Sequence, residues 1–495
     1  MKKLFLLLAP VMIFTACEIV FIPGNSGTPG TPGTPGTPGN PSNPSNPNNT
    51  QSRQFWAQDF RNNTFYTLTA QKLAEGTYCT IWVETGNSRA TVAVAESMAR
   101  AYDQDIYPKM KAVFSSDNLE YEGNSFEDTM EFADFYGDQD HKLCILLLDI
   151  RDGFNGTTNT GYVGGYFFSG DFYESASLPN NMKSNERDMI SIDTYPSTPG
   201  DPDSNKTLAH EMQHMMNFIH DVAIRDALSD TWLNEGLSAA AEWVYAGTAD
   251  TDRLAWYNSP QQGSRITTGN NFFVWDQYNN TNTNLDDYAT VSLFFQWLRL
   301  QSGGGSNIYR AISGSSYSDH NAVVGAINGY NDWPTLLKTW LAANYINAPT
   351  GRYGYMNDSV LKNVKARTVP SGTRSVNLYP GEGVYSITNS SGSTQNPTGN
   401  IRYAGLNKSS GAVSDTAVFA SGALLTYNIN TNLEGRPEAG VTTGIAASVS
   451  AIPESLFVGT GLSGPFKIDA RSMLRRNGYE EYIPRLRLNT GDKDN

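Results

Sequence analysis

The spacing of hydrophobic residues predicts several β-strands in the first part of the chain. Thr77 to Glu84 (TYCTIWVE) is rich in β-branched and aromatic residues, which favours a strand. His141 to Ile150 (HKLCILLLDI) is almost continuously apolar, which is typical of a central strand with both faces buried. Tyr162 to Phe168 and Met189 to Asp193 are shorter candidates. We expect the run from Met189 to Asp193 to form an edge strand.

A helical period appears between Ser88 and Phe114. Val94, Met98, Tyr102 and Ile106 recur every four positions, so all four lie on one face of a predicted helix. Later apolar stripes predict four more helices, at Thr207 to about Asp221, Trp232 to about Ala246, Tyr288 to Leu300, and Pro334 to about Tyr345. Strands followed by helices predict an α+β fold.

The pattern of hydrophobic and polar residues changes after about Arg367, where helical periods are replaced by short strand-like runs. Short β-like runs separated by Gly, Ser, Asn and Pro lie at 376–379, 383–387, 401–406, 423–429 and 466–470. We therefore expect a folded domain over residues 53–367 and a small β-rich module over residues 368–495.

The first residues have the pattern of an export signal. Lys2 and Lys3 precede an apolar run from Leu4 to Phe14, which is too short for a good transmembrane helix. Ala16 and Cys17 then resemble the lipobox of bacterial lipoproteins. The resemblance implies a signal peptide over residues 1–17, cleavage before Cys17, and a lipid anchor on its thiol at the bacterial cell envelope. The alternative is an ordinary secretory signal with a coincidental cysteine.

Residues 18–52 are predicted to be a linker. A Gly-Thr-Pro repeat begins at Gly27 and is followed by Asn-Pro-Ser units. Such a composition cannot bury a core, and we expect an extended, solvated tether.

Composition and charge narrow the classes of function. The 495 residues are 39% hydrophobic, as in a folded protein, and carry a formal net charge of −14. An acidic chain argues against a nucleic-acid partner. Beyond the signal only Cys79 and Cys144 remain, which are either a disulfide pair or two free buried thiols. We favour free thiols, and their spacing argues against a cysteine zinc site.

The sequence His210-Glu211-Met212-Gln213-His214 points to metal chemistry. Residues four apart lie on the same face of a helix, so His210 and His214 can direct two imidazoles at one Zn2+ ion. Glu211 points beside the metal, where it can take a proton from an activated water. The pentapeptide by itself has only moderate specificity.

A second segment, Trp232-Leu233-Asn234-Glu235-Gly236, follows at a suitable distance, with Glu235 lying 21 residues after His214. Together the two segments resemble the gluzincin metallopeptidases, and the second is similar to that of aminopeptidase-N-type enzymes. The overall plan resembles the hyicolysin-type family over roughly residues 54–350. This resemblance implies a zincin-like domain with an N-terminal mixed β-sheet lobe and a helical C-terminal lobe. It also implies His210, His214 and Glu235 as zinc ligands and Glu211 as the general base.

Two further residues are candidates for supporting roles. Glu242 follows Glu235 by seven residues on the same helix side, where it can accept the free N–H of a zinc-bound histidine. The alternative is a solvated surface carboxylate. Tyr288 has a position similar to the oxyanion-stabilising tyrosine of aminopeptidase-N-type enzymes, although a structural tyrosine is equally compatible. His320 is the alternative donor.

The expected activity is hydrolysis of peptide bonds in extracellular or periplasmic proteins. The Gly-x-Met-Glu-Asn motif that binds a free amine in aminopeptidases has no counterpart here. The Gly-rich run 161–170 (GYVGGYFFSG) contains no acidic residue that would serve. An endopeptidase is therefore favoured. The alternative is a surface lipoprotein that acts as an adhesin or binding scaffold, but the four residues His210, Glu211, His214 and Glu235 are all intact.

Overall fold

The computed structural model describes residues 51–114, 142–157, 161–172, 182–221, 228–259 and 281–366, a few single positions between them, and the backbone of isolated strands elsewhere. Contacts divide the chain into two compact units. The first comprises Met1–Pro108, Glu131–Met212 and Pro484–Asn495, and the second comprises Lys109–Met130 and Gln213–Ile483. Most of the predicted signal and linker, His141, and the predicted strand at 466–470 lie outside the described residues.

The first unit contains a seven-stranded mixed sheet. Its strands are β1 (Thr15–Phe21), β2 (Ser52–Asp59), β3 (Thr64–Glu75), β4 (Cys79–Glu84), β5 (Leu143–Leu148), β6 (Gly161–Phe168) and β7 (Met189–Asp193). Their order across the sheet is β1-β6-β7-β5-β4-β3-β2. The pairs β4–β5 and β5–β7 are parallel, and the other neighbours are antiparallel.

The interior strands of this sheet confirm one prediction made from the sequence and contradict another. All six residues of β5 are buried, as expected of a central strand. The prediction that Met189 to Asp193 is an edge strand was wrong, because β7 lies between β5 and β6 with all five residues buried. Ser191 and Asp193 alternate with apolar residues but face a packed layer rather than solvent.

Strand β1 forms the border of the sheet beside β6, with Cys17 opposite Tyr166 in the register. Part of the segment assigned to the signal peptide and linker therefore pairs with the sheet. Cys79 and Cys144 lie on the adjacent strands β4 and β5, and both are free and buried, as favoured from the sequence. Burial, followed by the nearby Asp103 carboxylate, raises the pKa of the Cys79 thiol.

Hydrophobic packing beneath the sheet explains the strands that the sequence pattern did not predict. Phe55 on β2 meets Trp82 on β4 edge to face, with ring centroids 5.3 Å apart. Leu68, Leu146 and Leu148 are buried in the same cluster. Strands β2 and β3 thus contribute directly to the core of this unit.

The predicted long helix is present in three parts, α1 (Val92–Ala101), a π-helical segment (Tyr102–Ile106) and α2 (Tyr107–Phe114). The hydroxyl of Thr91 caps its start by accepting the Val94 N–H at 3.4 Å. Met98, Tyr102 and Ile106 are fully buried, which confirms the apolar face.

The zinc-helix candidate and the remaining helices complete the described part. They are α3 (Pro202–His220), α4 (Thr231–Ala246), α5 (Thr251–Asn258), α6 (Thr281–Gln301), α7 (Asn307–Ser313), α8 (His320–Ala326) and α9 (Trp333–Ile346). Helix α3 passes from the first unit to the second between Met212 and Gln213. The four predicted helices are all present, and α3 and α6 begin earlier than expected. The short helices α5, α7 and α8 were not predicted.

Aromatic residues form the core of the helical unit. Phe294 on α6 contacts Trp232, Trp297, Trp333 and Trp340, with ring centroids 5.2–6.5 Å apart. No helix among the described residues combines the length and hydrophobicity needed to cross a membrane.

Short strands follow the helices in the C-terminal region. They are β8 (Ser375–Leu378), β9 (Gly383–Thr388), β10 (Ile401–Asn407), β11 (Ala412–Ser414), β12 (Leu424–Asn430) and β13 (Glu438–Val441). Strands β8 and β13 pair, and the other four form a sheet in the order β9-β12-β10-β11. A two-stranded hairpin also joins Glu120–Tyr121 to Asn124–Ser125. The mixed sheet together with the helices makes the chain α+β.

Candidate metal centre

Helix α3 carries the two histidines on one buried face. His210 is fully buried and His214 is 1% exposed. Their apolar neighbours on this helix are Leu208, Met212, Met215, Met216 and Ile219, all at most 3% exposed. Because isolated polar groups are costly to bury, two imidazoles in such a helix need partners of matching chemistry.

The structure brings Glu235 on α4 to the two histidines. One ligand atom from each of His210, His214 and Glu235 lies within 4.8 Å of the others. His214 Nε2 and Glu235 Oε2 are 3.4 Å apart. Zinc bonds of about 2.0–2.1 Å at a tetrahedral angle place neighbouring ligand atoms roughly 3.3–3.4 Å apart. The spacing of His214 and Glu235 therefore fits two ligands of one zinc ion, and His210 lies within reach as a third.

The orientation of His214 comes from residues that sequence reasoning missed. Its Nδ1 lies 3.1 Å from Asn234 Oδ1 and 3.0 Å from Ser238 Oγ. Ser238 Oγ in turn donates to Gln213 Oε1 at 2.5 Å. Since a side-chain amide oxygen only accepts, the proton belongs on Nδ1, and Nε2 keeps its lone pair toward Glu235. The position of Asn234 directly before Glu235 in the sequence was the signal that could have identified it as a partner of a metal ligand.

A close helix contact sets the position of Glu235. A Cβ atom built on the next residue, Gly236, would lie 2.1 Å from the ring of Phe295 on α6. Only a glycine permits this approach without displacing the ring. Glu235 itself is 3% exposed.

Glu211 is held by a backbone group of strand β6. It is fully buried, and its Oε2 accepts the backbone N–H of Phe167 on β6 at 2.8 Å. A Cβ on Gly165 would lie 2.8 Å from Thr207 Cγ2, so a glycine lets β6 approach α3 closely. The candidate general base therefore contacts β6 directly.

Glu242 is buried rather than a surface carboxylate, at 3% exposure. Its side chain forms an ion pair with Arg253 on α5. Its predicted hydrogen bond to a zinc-bound histidine stays a prediction.

Tyr288 lies on α6 and is 7% exposed. The guanidinium carbon of Arg253 lies 5.4 Å from the centroid of its ring. His320 begins α8 and packs its ring against Trp333, with centroids 5.7 Å apart. The roles of both as oxyanion donors remain predictions.

The C-terminal end of α3 is buried. His220 is 1% exposed, and burial holds its pKa well below the usual value. Next to it, Asp221 accepts Arg225 Nη1 at 2.6 Å and the Ser229 N–H at 2.7 Å. This buried network ties the end of α3 to the segment that leads into α4.

No family model matches the chain. The chain is 28% identical over 288 residues to the neutral metalloprotease ShpI of Staphylococcus hyicus. The match covers 57% of this chain and 58% of the relative, so it spans just over half of each protein. A metalloprotease requires a metal ion, typically zinc. The cluster of His210, His214 and Glu235 offers a candidate site for that ion.

Proposed function

We propose that the protein is a gluzincin-type zinc peptidase in which Glu211 is the general base. The observation that carries this proposal is the convergence of two imidazoles and a carboxylate on one point, within 4.8 Å, with Glu211 adjacent in the helix. The similarity to a metalloprotease supports the same chemistry.

His210, His214 and Glu235 would hold the ion. When bound, zinc lowers the pKa of water to about 7 and polarises the carbonyl of the scissile peptide. Glu211 takes the proton of the attacking water and passes it to the leaving nitrogen. The Phe167 N–H donates to one carboxylate oxygen of Glu211 and so helps to fix the orientation of the carboxylate.

We further propose an endopeptidase acting on extracellular or periplasmic proteins. The missing free-amine motif supports internal cleavage, and the N-terminal pattern supports export and a lipid anchor at Cys17. Mass analysis of the mature N-terminus tests the anchor, since an N-terminus without acyl chains would contradict it.

The direct test of the peptidase is Glu211→Gln in the zinc-loaded protein. We expect retained zinc and loss of cleavage of an unstructured protein such as casein, measured with and without a chelator. Glu96→Gln, at an exposed position of α1, is the matched control. Equal cleavage by wild type and Glu211→Gln would contradict the proposal, and zinc binding with no cleavage by wild type would favour the adhesin or scaffold.

A further inference from the structure

The short helix α5 is fixed at both of its ends. Asp250 caps its start, with its carboxylate accepting the N–H groups of Asp252 and Arg253, both at 2.8 Å. Near the other end, Trp256 Nε1 donates to Asp286 Oδ1 on α6 at 2.8 Å. The backbone of Arg253 is therefore held in a rigid frame against α6.

The side chain of Arg253 contacts residues of two other helices, α4 and α6. Its Nη2 pairs with Glu242 on α4, and the two side chains are 12% and 4% exposed. Its guanidinium also lies over the ring of Tyr288 on α6, two residues after Asp286. A cation over an aromatic face is attracted to it, more strongly where water is excluded.

We propose that Arg253 is a positioning residue that holds the ring of Tyr288 in a fixed orientation relative to α4, the helix that carries Glu235. This inference rests on the proposed function and extends it, because it takes the predicted role of Tyr288, whose hydroxyl would stabilise the developing oxyanion, as part of the same site. Arg253 acts through Tyr288 and touches no reacting atom. A donor of this kind works only when it is aimed before the reaction begins, and small displacements lower turnover strongly.

A purely structural role for Arg253 predicts a different outcome. Removing one partner of a buried ion pair leaves the other charge uncompensated, so loss of Arg253 would then lower thermal stability without changing turnover per folded molecule. Arg299 offers a matched control in the same unit. It lies 4.2 Å over the ring of Trp243 and pairs with Asp358 at 3.3 Å.

The experiment compares Arg253→Met, Arg253→Lys, Tyr288→Phe and the double variant Arg253→Met/Tyr288→Phe as zinc-loaded full-length proteins on an internally quenched peptide. We expect Arg253→Met to lower kcat by roughly 10- to 100-fold with KM and zinc content little changed. Arg253→Lys, which keeps the charge, should recover part of the loss. Arg299→Lys should lower the melting temperature alone.

The decisive readout is the coupling between the two residues. If Arg253 acts through Tyr288, the double variant turns over no more slowly than Tyr288→Phe. Affinity for a phosphonamidate peptide, measured by calorimetry, should fall equally in both single variants. Where Arg253→Met does not fold, Arg253→Lys with and without Tyr288→Phe gives the same cycle.

Two outcomes would overturn the inference while Glu211→Gln still abolishes cleavage. One is that the losses of kcat in the two single variants add up in the double variant, and the other is an unchanged kcat in folded Arg253→Met. An unaffected Glu211→Gln variant would instead reject the proposed function itself, so the two failures are distinguishable.

Discussion

Two buried carboxyl groups of the first unit and two of the second are held by different kinds of partner. In the first unit, Asp171 accepts the backbone and side-chain N–H groups of Asn185, and Glu211 accepts the Phe167 N–H. In the second unit, Asp221 and Glu242 are paired with the guanidinium groups of Arg225 and Arg253.

This difference has consequences for both stability and function. Main-chain donors survive most substitutions, so the setting of Glu211 should tolerate change in its neighbours. The setting of His214 depends on the side chains of Asn234 and Ser238 and should be sensitive to substitution. Neutral donors and a neighbouring guanidinium both favour the ionised carboxylate, but burial outweighs them at Asp171 and at Asp221 and raises the pKa of both groups.

The largest effect should come from loss of the proposed ligand Glu235. Glu235→Ala removes one of three ligands, and we expect loss of bound zinc and a fall in kcat/KM of roughly 10³-fold or more. Zinc content by mass spectrometry checks this result, with Glu96→Ala as an exposed control. Full retention of zinc would remove Glu235 from the ligand set.

The second largest effect should come from breaking the buried ion pair at the end of α3. The Asp221 and Arg225 side chains are 3% and 1% exposed, so Arg225→Met strands a buried charge and should cost about 3–5 kcal/mol of unfolding free energy. The control in the first unit is Arg61, whose side chain is 47% exposed and pairs with the buried Asp59. Arg61→Met should cost less than Arg225→Met, because Asp59 keeps its hydrogen bond from Asn62 and water reaches the pair from the arginine side. Equal losses of unfolding free energy in Arg225→Met and Arg61→Met, measured by urea denaturation, would contradict the expected difference between the two ion pairs.

Asn234→Ala should produce an intermediate effect on metal binding. Loss of the hydrogen bond to His214 Nδ1 typically weakens zinc affinity by about 10- to 100-fold. Phe167→Leu, by contrast, keeps the main-chain N–H that binds Glu211 and should leave turnover per folded molecule unchanged. Competition with a chelator measures the first change. Equal zinc affinity in wild type and Asn234→Ala would contradict the orientation assigned to His214.

The smallest expected effect is a pH dependence in the first unit. Burial raises the pKa of Asp171 to about 7, against the lowering effect of its hydrogen bonds to Asn185. The native state therefore keeps a proton that the unfolded chain releases above about pH 4. This contribution to stability is complete below about pH 4 and is lost as pH rises to about 7.

Asp171→Asn should therefore flatten the decline in unfolding free energy between about pH 4 and pH 7. The measurement is urea denaturation across that range. Asp203→Asn, at a side chain that is 83% exposed, provides the control. An unchanged slope in Asp171→Asn would show that Asp171 is ionised in the native state.

The sequence by itself determined the features that depend on local periodicity. His210 and His214 share a face because a helix returns after four residues, and β5 is central because its whole run is apolar. Glu235 was found through a contiguous motif, and its distance from His214 agrees with zinc geometry. The α+β class followed from the order of strands and helices.

Only the tertiary structure decided which distant groups meet. The register of β6 brings the Phe167 N–H to Glu211, and β7 is interior because β6 pairs along its free side. Asn234 orients His214, and Arg253 joins Glu242 to Tyr288, through contacts between separate helices. These contacts depend on how packed elements approach each other, which the local pattern of one chain does not specify. The helix face that carries the candidate metal ligands was thus evident from the sequence, but the groups that orient those ligands were not.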